Sequence, residues 1–503
     1  MLKIRTVRTK SGKTAVQVVT YETNKTNVVK HIGSAGSEEE LKSLKEAAGE
    51  YINNNLAIQP LNFDSSELFS VDNLLSRLDV TETKHNFSYE ILSKVYDING
   101  FSIIDNSVLK DLAIMRIIEP ASKMRSIELL EEYFGINYSE GTINRCIKRI
   151  YLDKDKIEKA AVEYAKKNLS FDFSIVFYDV TTLYFESFKA DDLRKNGYSK
   201  DGKPQQPQIV IGLVVTSEGY PISIQWFEGS KFEGHTVIPV ILDLKEKYHL
   251  STFTVVADAG MLSFDNIEEI KKNGLSYIVG ARIKKLKEGM ISKVIQDLNY
   301  EEGRYSLQNA AYGTLICDYS KKRASKDKSD REKQITKAKA YLDGGSMPSK
   351  APKYLKMETK SKYKLNEELI RHSAKFDGIK GYYTNLDTDK ISVSLIIQRY
   401  HDLWHIEKSF RISKSDLSAR PIFHRKEEAI KSHILIVFAA LCIAKSIELQ
   451  TGYSIKKVRD ALWKIEDITL VDKVTGKSAV KRMNYIANPI VSKVVSIFSH
   501  YTH

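Results

Sequence analysis

Three acidic segments hold the residues of this chain best suited to chemistry. Phe177-Tyr178-Asp179-Val180-Thr181-Thr182 and Val255-Val256-Ala257-Asp258-Ala259-Gly260 each set an aspartate against an apolar, β-branched run. Tyr400-His401-Asp402-Leu403-Trp404-His405-Ile406-Glu407 sets a glutamate in a stretch of helical spacing. Carboxylates brought from separate elements to one point are ligands for hard divalent cations, which take oxygen donors. Such cations activate water and stabilise the charge that develops as a phosphodiester is cut. Ala257, Ala259 and Gly260 are small enough to let a phosphate approach the backbone beside Asp258, although a plain loop turn would also use glycine there. For Asp179 the bland alternative is an exposed acid at a strand end, and Glu186 is a competing carboxylate nearby in the chain.

The third segment carries more information than its length suggests. A helix starting at Ser392, a good N-cap residue, and running to about 416 would put Tyr400, Leu403, Trp404, Glu407, Arg411 and Lys414 on one stripe. A core-facing stripe would be apolar throughout. This one begins aromatic, meets a carboxylate and ends in two cations, which suits a helix that leaves the core and turns toward phosphate. The ordinary alternative for Glu407 is a pair with Arg411 one turn on, worth a few tenths of a kcal/mol.

The elements that must position these residues follow from patterning. Residues 1–33 alternate apolar and polar around the turn Lys10–Lys13, predicting a β-arm, with a helix over Ser37–Asn53. Residues 67–165 read as helical throughout, with Pro120 ending one helix and Ser122 opening the next. A basic helix begins near Ser139 and carries Arg145, Lys148 and Arg149. Short helices of this kind suit a helix-turn-helix reader of DNA or a plain bundle. From 172 to 281 the order is β-β-β-α-β-α-β: strands Phe173–Phe185, Gln208–Thr216, Tyr220–Glu228, Thr252–Ala257 and Leu275–Ala281, with helices His235–Lys247 and Ser263–Asn273. That order predicts a mixed sheet flanked by helices and matches the RNase H-like fold, whose acids lie at the end of the first strand and just after the fourth. A basic insertion follows, containing a helix over Ser325–Leu342, the loop Gly344-Gly345-Ser346-Met347-Pro348 and a strand pair Tyr354–Thr359 and Ser361–Leu365. The core resumes with the strand Gly378–Asn385 and closes with helices over Lys426–Leu449 and Ile455–Leu462. The expected division is 1–60 β-arm and helix, 61–165 helical DNA-binding region, 166–284 first part of the catalytic core, 285–376 basic insertion domain, and 377–503 second part of the core with C-terminal helices.

Charge and composition narrow the class of partner. The chain has 503 residues and a net charge of +13, an excess that favours a polyanion. Segment 321–364 holds 15 Lys+Arg against 5 Asp+Glu and so carries ten of those thirteen charges. Cys146, Cys317 and Cys442 are far apart and form no CxxC pair, which argues against a zinc knuckle or a disulfide framework and for buried thiols in a reducing compartment. Met1-Leu2-Lys3-Ile4-Arg5 lacks the apolar core of a signal peptide, and the longest apolar run, Ile434–Ala444, is too short to span a bilayer, so a cytoplasmic location is expected.

The chain resembles the DDE transposases of bacterial insertion sequences, in the subgroup whose third acidic motif reads Y-x2-R-x3-E-x6-K. Tyr400, Glu407 and Lys414 match that motif at its spacing, while Leu403 stands where the arginine is expected, with Lys408 or Arg411 as substitutes. Asp179-Val180-Thr181-Thr182-Leu183-Tyr184-Phe185 resembles the family's D-x-T-x-L-x-F. Gly219-Tyr220-Pro221, Glu228-Gly229-Ser230, Glu233-Gly234-His235-Thr236 and Asp416–His424 are also similar. The resemblance implies that two Mg²⁺ ions (Mn²⁺ can substitute) are held by Asp179, Asp258 and Glu407. One activates water or a DNA 3′-hydroxyl and the other stabilises the leaving oxygen. It implies cutting at terminal inverted repeats of double-stranded DNA and joining of the 3′ ends to target DNA, often through a DNA hairpin, by a homodimer in a synaptic complex. Tyr400 and Lys414 would position phosphates, Trp404 would either stack a displaced base or pack in the core, and Arg420 and His424 would touch DNA or cap the following helix. Two alternatives keep the same fold: a domesticated DNA-binding regulator, and a nuclease that cuts without joining. A third reading is unrelated: His401-Asp402-Leu403-Trp404-His405 imitates the H-E-x-x-H zinc motif, with aspartate for the general-base glutamate.

Overall fold

The computed structural model describes residues 2–22, 25–55, 76–261, 263–343, 352–359, 362–484 and 488–498; the expected loop Gly344–Pro348 and residues 61–75 lie outside these. The chain separates into two compact units, Met1–Asp79 with Leu470–Ser478, and Val80–Thr469 with Ala479–His503. In the first unit, strands β1 (Leu2–Arg8), β2 (Thr14–Glu22) and β3 (Lys25–Ala35) form an antiparallel sheet in that order, and helix α1 (Glu38–Asn55) follows. The alternation along β2 turns Val16 and Val18 inward against Ala48 of α1, which makes a small separate core.

The second unit opens with a difference from expectation: Leu78–Lys84 is a strand, β4, in a region that reads as helical. Its sequence, LDVTETK, carries the β-branched residues Val80, Thr81 and Thr83, and it adds to the sheet of β15 and β16, a pairing between segments far apart in the chain. Helices α2 (Asn86–Ile98), α3 (Ser107–Ile118), α4 (Lys123–Phe134), α5 (Glu140–Ile150) and α6 (Lys154–Leu169) follow. The side chains of Asn106, Ser122 and Ser139 accept from the third residue of α3, α4 and α5 respectively, so each start is set by a local polar cap.

The sheet is then built by β5 (Ile175–Tyr184), β6 (Gln208–Val215), β7 (Pro221–Glu228), helix α7 (Val237–Lys247), β8 (Thr254–Ala257), helix α8 (Phe264–Lys272) and β9 (Ser276–Gly280). Their spatial order is β9-β8-β5-β6-β7. β6 is antiparallel to β5 and β7, while β8 is parallel to β5 and β9 to β8. This is the RNase H-like arrangement anticipated from the element order. All eight residues of β6 are buried, as its unbroken apolar run Ile209–Val215 requires of a central strand.

Helix α9 (Glu288–Leu298), β10 (Tyr305–Ala310), β11 (Gly313–Tyr319), helix α10 (Lys321–Leu342), β12 (Leu355–Thr359), β13 (Lys362–Leu365) and helix α11 (Glu367–Ala374) precede β14 (Ile379–Thr384). β14 lies antiparallel to β9, and β11 and β10 continue the sheet outward. Residues 305–319, read from sequence as part of an insertion, therefore supply two strands of the main sheet, β11 beside β14 and β10 at the edge. In α10 only Ala338 is buried among its described residues, in keeping with its mixed charge.

After β14 come helices α12 (Val393–His401), α13 (Trp404–Arg411), α14 (Glu427–Thr451) and α15 (Ile455–Leu462), strands β15 (Glu466–Asp472) and β16 (Ser478–Met483), and helix α16 (Pro489–Phe498). β15 and β16 stand where only helices were expected. α14 is long and apolar enough to cross a bilayer, but 94% of its most apolar stretch is buried inside the protein. It is the central helix of the core that α2, α3, α5 and β7 share.

Glu158 of α6 ties the helices to the sheet. It is 1% exposed. It accepts from Ser223 Oγ and Ile224 N of β7, both at 2.9 Å, and pairs with Lys154 at 2.8 Å and Lys247 of α7 at 2.7 Å. Removing one partner of such a group leaves buried charge uncompensated. Glu158→Ala is therefore expected to lower stability by about 3–5 kcal/mol in urea unfolding; a loss under ~1 kcal/mol would mean that this junction does not hold the layers together.

Candidate active site

The position of the two aspartates follows from strand register. β5 and β8 pair in parallel from Ile175↔Thr254 to Tyr178↔Ala257. One residue further along each chain come Asp179 and Asp258. They leave neighbouring parallel strands, about 4.8 Å apart, at the same level. Asp179 was expected at the end of its strand. It lies instead mid-strand, at the point where β8 stops and β5 continues to Tyr184 against β6 alone.

The environment of Asp179 is costly for charge. Burial pushes its carboxyl up to about 7, and the carboxylates of Asp258 and Glu233 push the same way. The ammonium of Lys200 and the N–H of Val180, which donates to Asp179 Oδ1 at 2.7 Å, oppose them. Glu233 and Lys200 were not singled out from sequence as site residues. The Lys200 ammonium donates to Val180 O at 2.7 Å and pairs with Glu233 Oε1 at 2.9 Å. Glu233 also closes on Asp258 from the other side: a Cβ placed on Gly260 would have Glu233 Oε2 at 3.5 Å and Asp258 Oδ2 at 4.0 Å. The pattern Glu233-Gly234-His235 was visible, but only the fold brings it to the acids.

Tyr400 ends α12 and is 5% exposed. Its hydroxyl donates to Asp258 Oδ1 at 3.2 Å, so it holds an acid rather than meeting DNA across open surface. Gly280, at the end of β9, makes this possible, because a Cβ there would lie 2.3 Å from that hydroxyl. The Lys380 ammonium of β14 sits 4.6 Å from the Tyr400 ring centroid. Burial and Arg323 lower its pKa, while Asp318, Asp258 and Glu407 raise it. Asp258 and Glu407 thus both act on this one ammonium. Lys380 was missed in the sequence; its only signal is a lysine inside the apolar strand Ile379–Thr384.

The helix expected from 392 to 416 is in three pieces. Ser392 does cap α12, accepting from Leu395 N at 3.3 Å. The chain then turns at Asp402 and Leu403, restarts as α13, and passes into a π-helical turn over Ile412–Asp416. The single stripe is therefore broken. Leu403 is buried and offers no phosphate contact. Trp404 is 50% exposed and stacks on His405 at 3.9 Å, which overturns the core reading. Glu407 and Arg411 are exposed on α13. Lys408, the candidate substitute for the missing arginine, turns inward and pairs with Glu448 of α14 at 3.1 Å, beside buried Lys445. Lys414 pairs with Asp201 at 3.2 Å, and Arg420 lies 3.1 Å from the same carboxylate. His424 neither caps the next helix, whose N-cap is Lys426, nor lies open: burial and nearby Lys123 and Arg116 push it down to about 3, and its ring packs 5.6 Å from that of His433.

Among the described residues no three His, Cys, Asp or Glu side chains are grouped as a metal-holding cluster. The fold brings Asp179 and Asp258 together and leaves Glu407 outside a closed triad. The donor set is oxygen-only, like-charged and partly buried, which fits a hard dication whose arrival relieves the repulsion. The zinc-protease reading fails: His401 and His405 lie on either side of the turn, and His401 Nε2 is 3.0 Å from Tyr382 OH.

Beside Asp258 and Tyr400 opens a cleft of about 520 Å³ between β9, β14 and α10. Its walls carry seven cations, Arg282, Lys284, Lys285, Arg323, Arg331, Lys353 and Lys380, against four aspartates. Arg331 is bound to Asp377 and Arg323 lies 3.7 Å from Asp327, so part of the charge is used internally.

The family model described as a transposase DDE domain matches residues 170–443. Among curated proteins none matches the sequence. Solved structures similar to it include two transposase complexes. One is the piggyBac transposase synaptic complex with hairpin DNA, at 10% identity over 74% of this chain and 70% of that one, with a TM-score of 0.38. The other is the Mos1 transposase paired-end complex with left transposon end, at 11% identity over 47% and 66%, with a TM-score of 0.15.

Two outcomes follow from the geometry. Because Asp179 has a raised folded pKa, the native state holds a proton that the unfolded chain releases near 4. Stability in a chelator must then fall as pH climbs from about 4 to about 7. Asp179→Asn should flatten that slope and raise stability at pH 8 by an order of 1–4 kcal/mol, read from urea titrations at both pH values; an unchanged slope would remove the charge strain assigned here. Gly280→Ala must push the Tyr400 hydroxyl off Asp258. DNA cleavage should drop more than tenfold while DNA binding changes little, and wild-type cleavage rates in that variant would show that the Tyr400 contact is idle.

Proposed function

We propose, starting from the fact that this chain belongs to the transposase DDE-domain family, that it is an insertion-sequence enzyme of the Y-x2-R-x3-E-x6-K subgroup. It would bind the terminal inverted repeats of its element, cut their phosphodiesters and join the freed 3′ ends to target DNA. The observation that carries this reading is the β5–β8 register, which presents Asp179 and Asp258 side by side from adjacent parallel strands.

Asp179, Asp258 and Glu407 are the residues that would hold two Mg²⁺ ions. When bound, these supply an activated oxygen nucleophile and charge neutralisation at the scissile phosphate. The protein's own part is positioning. Tyr400 fixes the rotamer of Asp258 through its hydrogen bond, and Gly280 leaves the room for it. Lys200 and Glu233 flank Asp179. Lys380, Arg282 and Arg323 line the cleft into which the strand next to the cut would lead, placing cations along a phosphate backbone. Exposed Trp404 offers a stacking face to an unpaired base at the same edge. Exposed Arg145, Lys148 and Arg149 on α5 form a basic face suited to duplex contact away from the acids. Synapsis of two ends calls for a homodimer, and the work as a whole for a cytoplasmic, nucleoid-associated protein.

The test uses the purified chain, Mg²⁺ and duplexes carrying the terminal sequences that bracket its gene. Wild type should nick and then join them. Asp179→Ala, Asp258→Ala and Glu407→Ala should each fall to background cleavage while still shifting the duplex in a gel. Full cleavage by any one of the three would strike that residue from the site. Cutting without any joined product would point to a nuclease, and binding with no cutting by the wild type to a DNA-binding regulator.

A further inference from the structure

Three cations that belong to different parts of the chain converge beside the acids, and the Asp201 carboxylate stands between two of them. Lys414 comes from the π-helical turn after α13. Arg420 comes from the stretch that runs along the tail of β5, where Ile422 N donates to Tyr184 O at 3.0 Å. Lys200 comes from the long loop between β5 and β6. Asp201, next in that loop, receives Lys414 Nζ at 3.3 Å on Oδ1 and 3.2 Å on Oδ2. Arg420 Nε lies 3.1 Å from Asp201 Oδ1 as an ion pair, although it forms no hydrogen bond there and is buried. The side chains of Lys414 and Asp201 are each 13% exposed.

Electrostatics make this cluster unstable without its acid. Burial, Arg420 and Lys200 all lower the pKa of Lys414, and Asp201 is the group that raises it. With the carboxylate gone, Lys414 and Arg420 would face one another in a half-buried site with no counter-charge between them, while Lys200 would keep Glu233. The side chains would swing apart, or Lys414 would lose its proton. With the carboxylate present, Lys414 and Arg420 share Asp201 while Lys200 pairs with Glu233, so three cations against two carboxylates leave a net charge of +1 held next to Asp179. Lys200 is fixed as well, by its own N–H to Thr182 Oγ1 at 3.2 Å and by its ammonium to Val180 O and Glu233.

We propose that Asp201 is a positioning residue for DNA phosphate: it holds Lys414 and Arg420 together as one preformed phosphate-binding pair beside the catalytic acids. This rests on the DNA-cutting reading above, and it assigns a role to a loop that neither the acidic motifs nor the basic insertion points to. The phosphate does not replace Asp201. It meets the N–H groups of Lys414 and Arg420 that Asp201 leaves unused, in the way that a preorganised fork saves the cost of ordering long side chains on binding.

The experiment measures binding of the full-length protein to a short fluorescein-labelled duplex of arbitrary sequence, by anisotropy across a salt series. Asp201→Ala and Asp201→Asn should each weaken binding about tenfold and flatten the log–log salt slope by about 1–2, the value of one or two lost phosphate contacts. Asp201→Glu should restore most of both. In a background of Lys414→Ala with Arg420→Ala, Asp201→Ala should have no further effect. Tighter binding by Asp201→Ala would overturn the proposal, since the acid would then be a competitor of phosphate. Wild-type behaviour of Asp201→Asn would do so too, since charge would not be the cause, as would an equal loss in the doubly substituted background. If Lys414→Ala with Arg420→Ala itself binds duplex like wild type, the fault lies instead with the assignment of those two residues to DNA in the functional reading.

Discussion

The register between β5 and β8 is the constraint from which the candidate active site is built. Parallel pairing must keep Tyr178 level with Ala257, and every later statement about Asp179 and Asp258 depends on that pairing. A slip of one residue would turn Asp179 to the opposite face of the sheet. The register is itself held by burial on both faces: Val176, Phe177 and Tyr178 on β5, and Val255, Val256 and Ala257 on β8, are all fully enclosed. Hydrophobic packing thus fixes a polar geometry. The two carboxylates are kept close although they repel, because moving them apart would unpack the centre of the sheet.

Holding like charges together leaves a deficit that the surroundings only half offset. Lys200 stands beside Asp179, and Lys380 beside Tyr400 and Asp258, yet both ammonium groups are themselves partly desolvated and shared with other acids. The result is a site poised to accept positive charge at the acids and negative charge at the surrounding cations. Bound dications and a phosphate backbone would satisfy both needs at once. An enzyme that kept its acids fully paired with lysines would be more stable and less able to bind metal, a common conflict between stability and activity.

The sheet was legible in the sequence because its grammar is local. Continuous apolar runs gave β5, β6 and β8, and Ser122, Ser139 and Ser392 announced helix starts through hydrogen bonds within one turn. The two aspartates were legible for the same reason, each following a short apolar run, although only Asp258 lies at the end of its strand. What escaped depends on contacts between residues distant in the chain. Glu233 joins the acids only because 3₁₀ turns at Glu233–His235 and Ala259–Met261 bring the segment after β7 to Gly260. Lys380 is an ordinary lysine until β14 places it under Tyr400. β10 and β11 were hidden by the basic segment that follows them, although the apolar run Leu315–Cys317 of β11 is buried as an inner strand requires.

The error over residues 392–416 teaches the most. A straight helix would align Tyr400, Glu407 and Lys414 on one face and send all three to the same place. The three tasks are in different directions, however. Tyr400 must reach Asp258 through the gap left by Gly280. Lys408 and Ser409 must anchor the helix of Glu407 to Glu448 and to Gly219 O. Lys414 must reach Asp201. The turn at Asp402–Leu403 and the π-helical turn at Ile412–Asp416 reset the helical phase before and after α13, so each segment aims its own side chain. π-turns of this kind insert a residue at local cost and recur at functional sites. Here that cost frees Lys414 from the direction of Glu407, and the hairpin turn at Gly219, whose φ of +82° and lack of Cβ let it lie against His405, supplies the floor on which α13 rests. The third acid of the family pattern is thereby carried on a short helix fastened to the core below it, and not on the long amphipathic rod that its spacing implies.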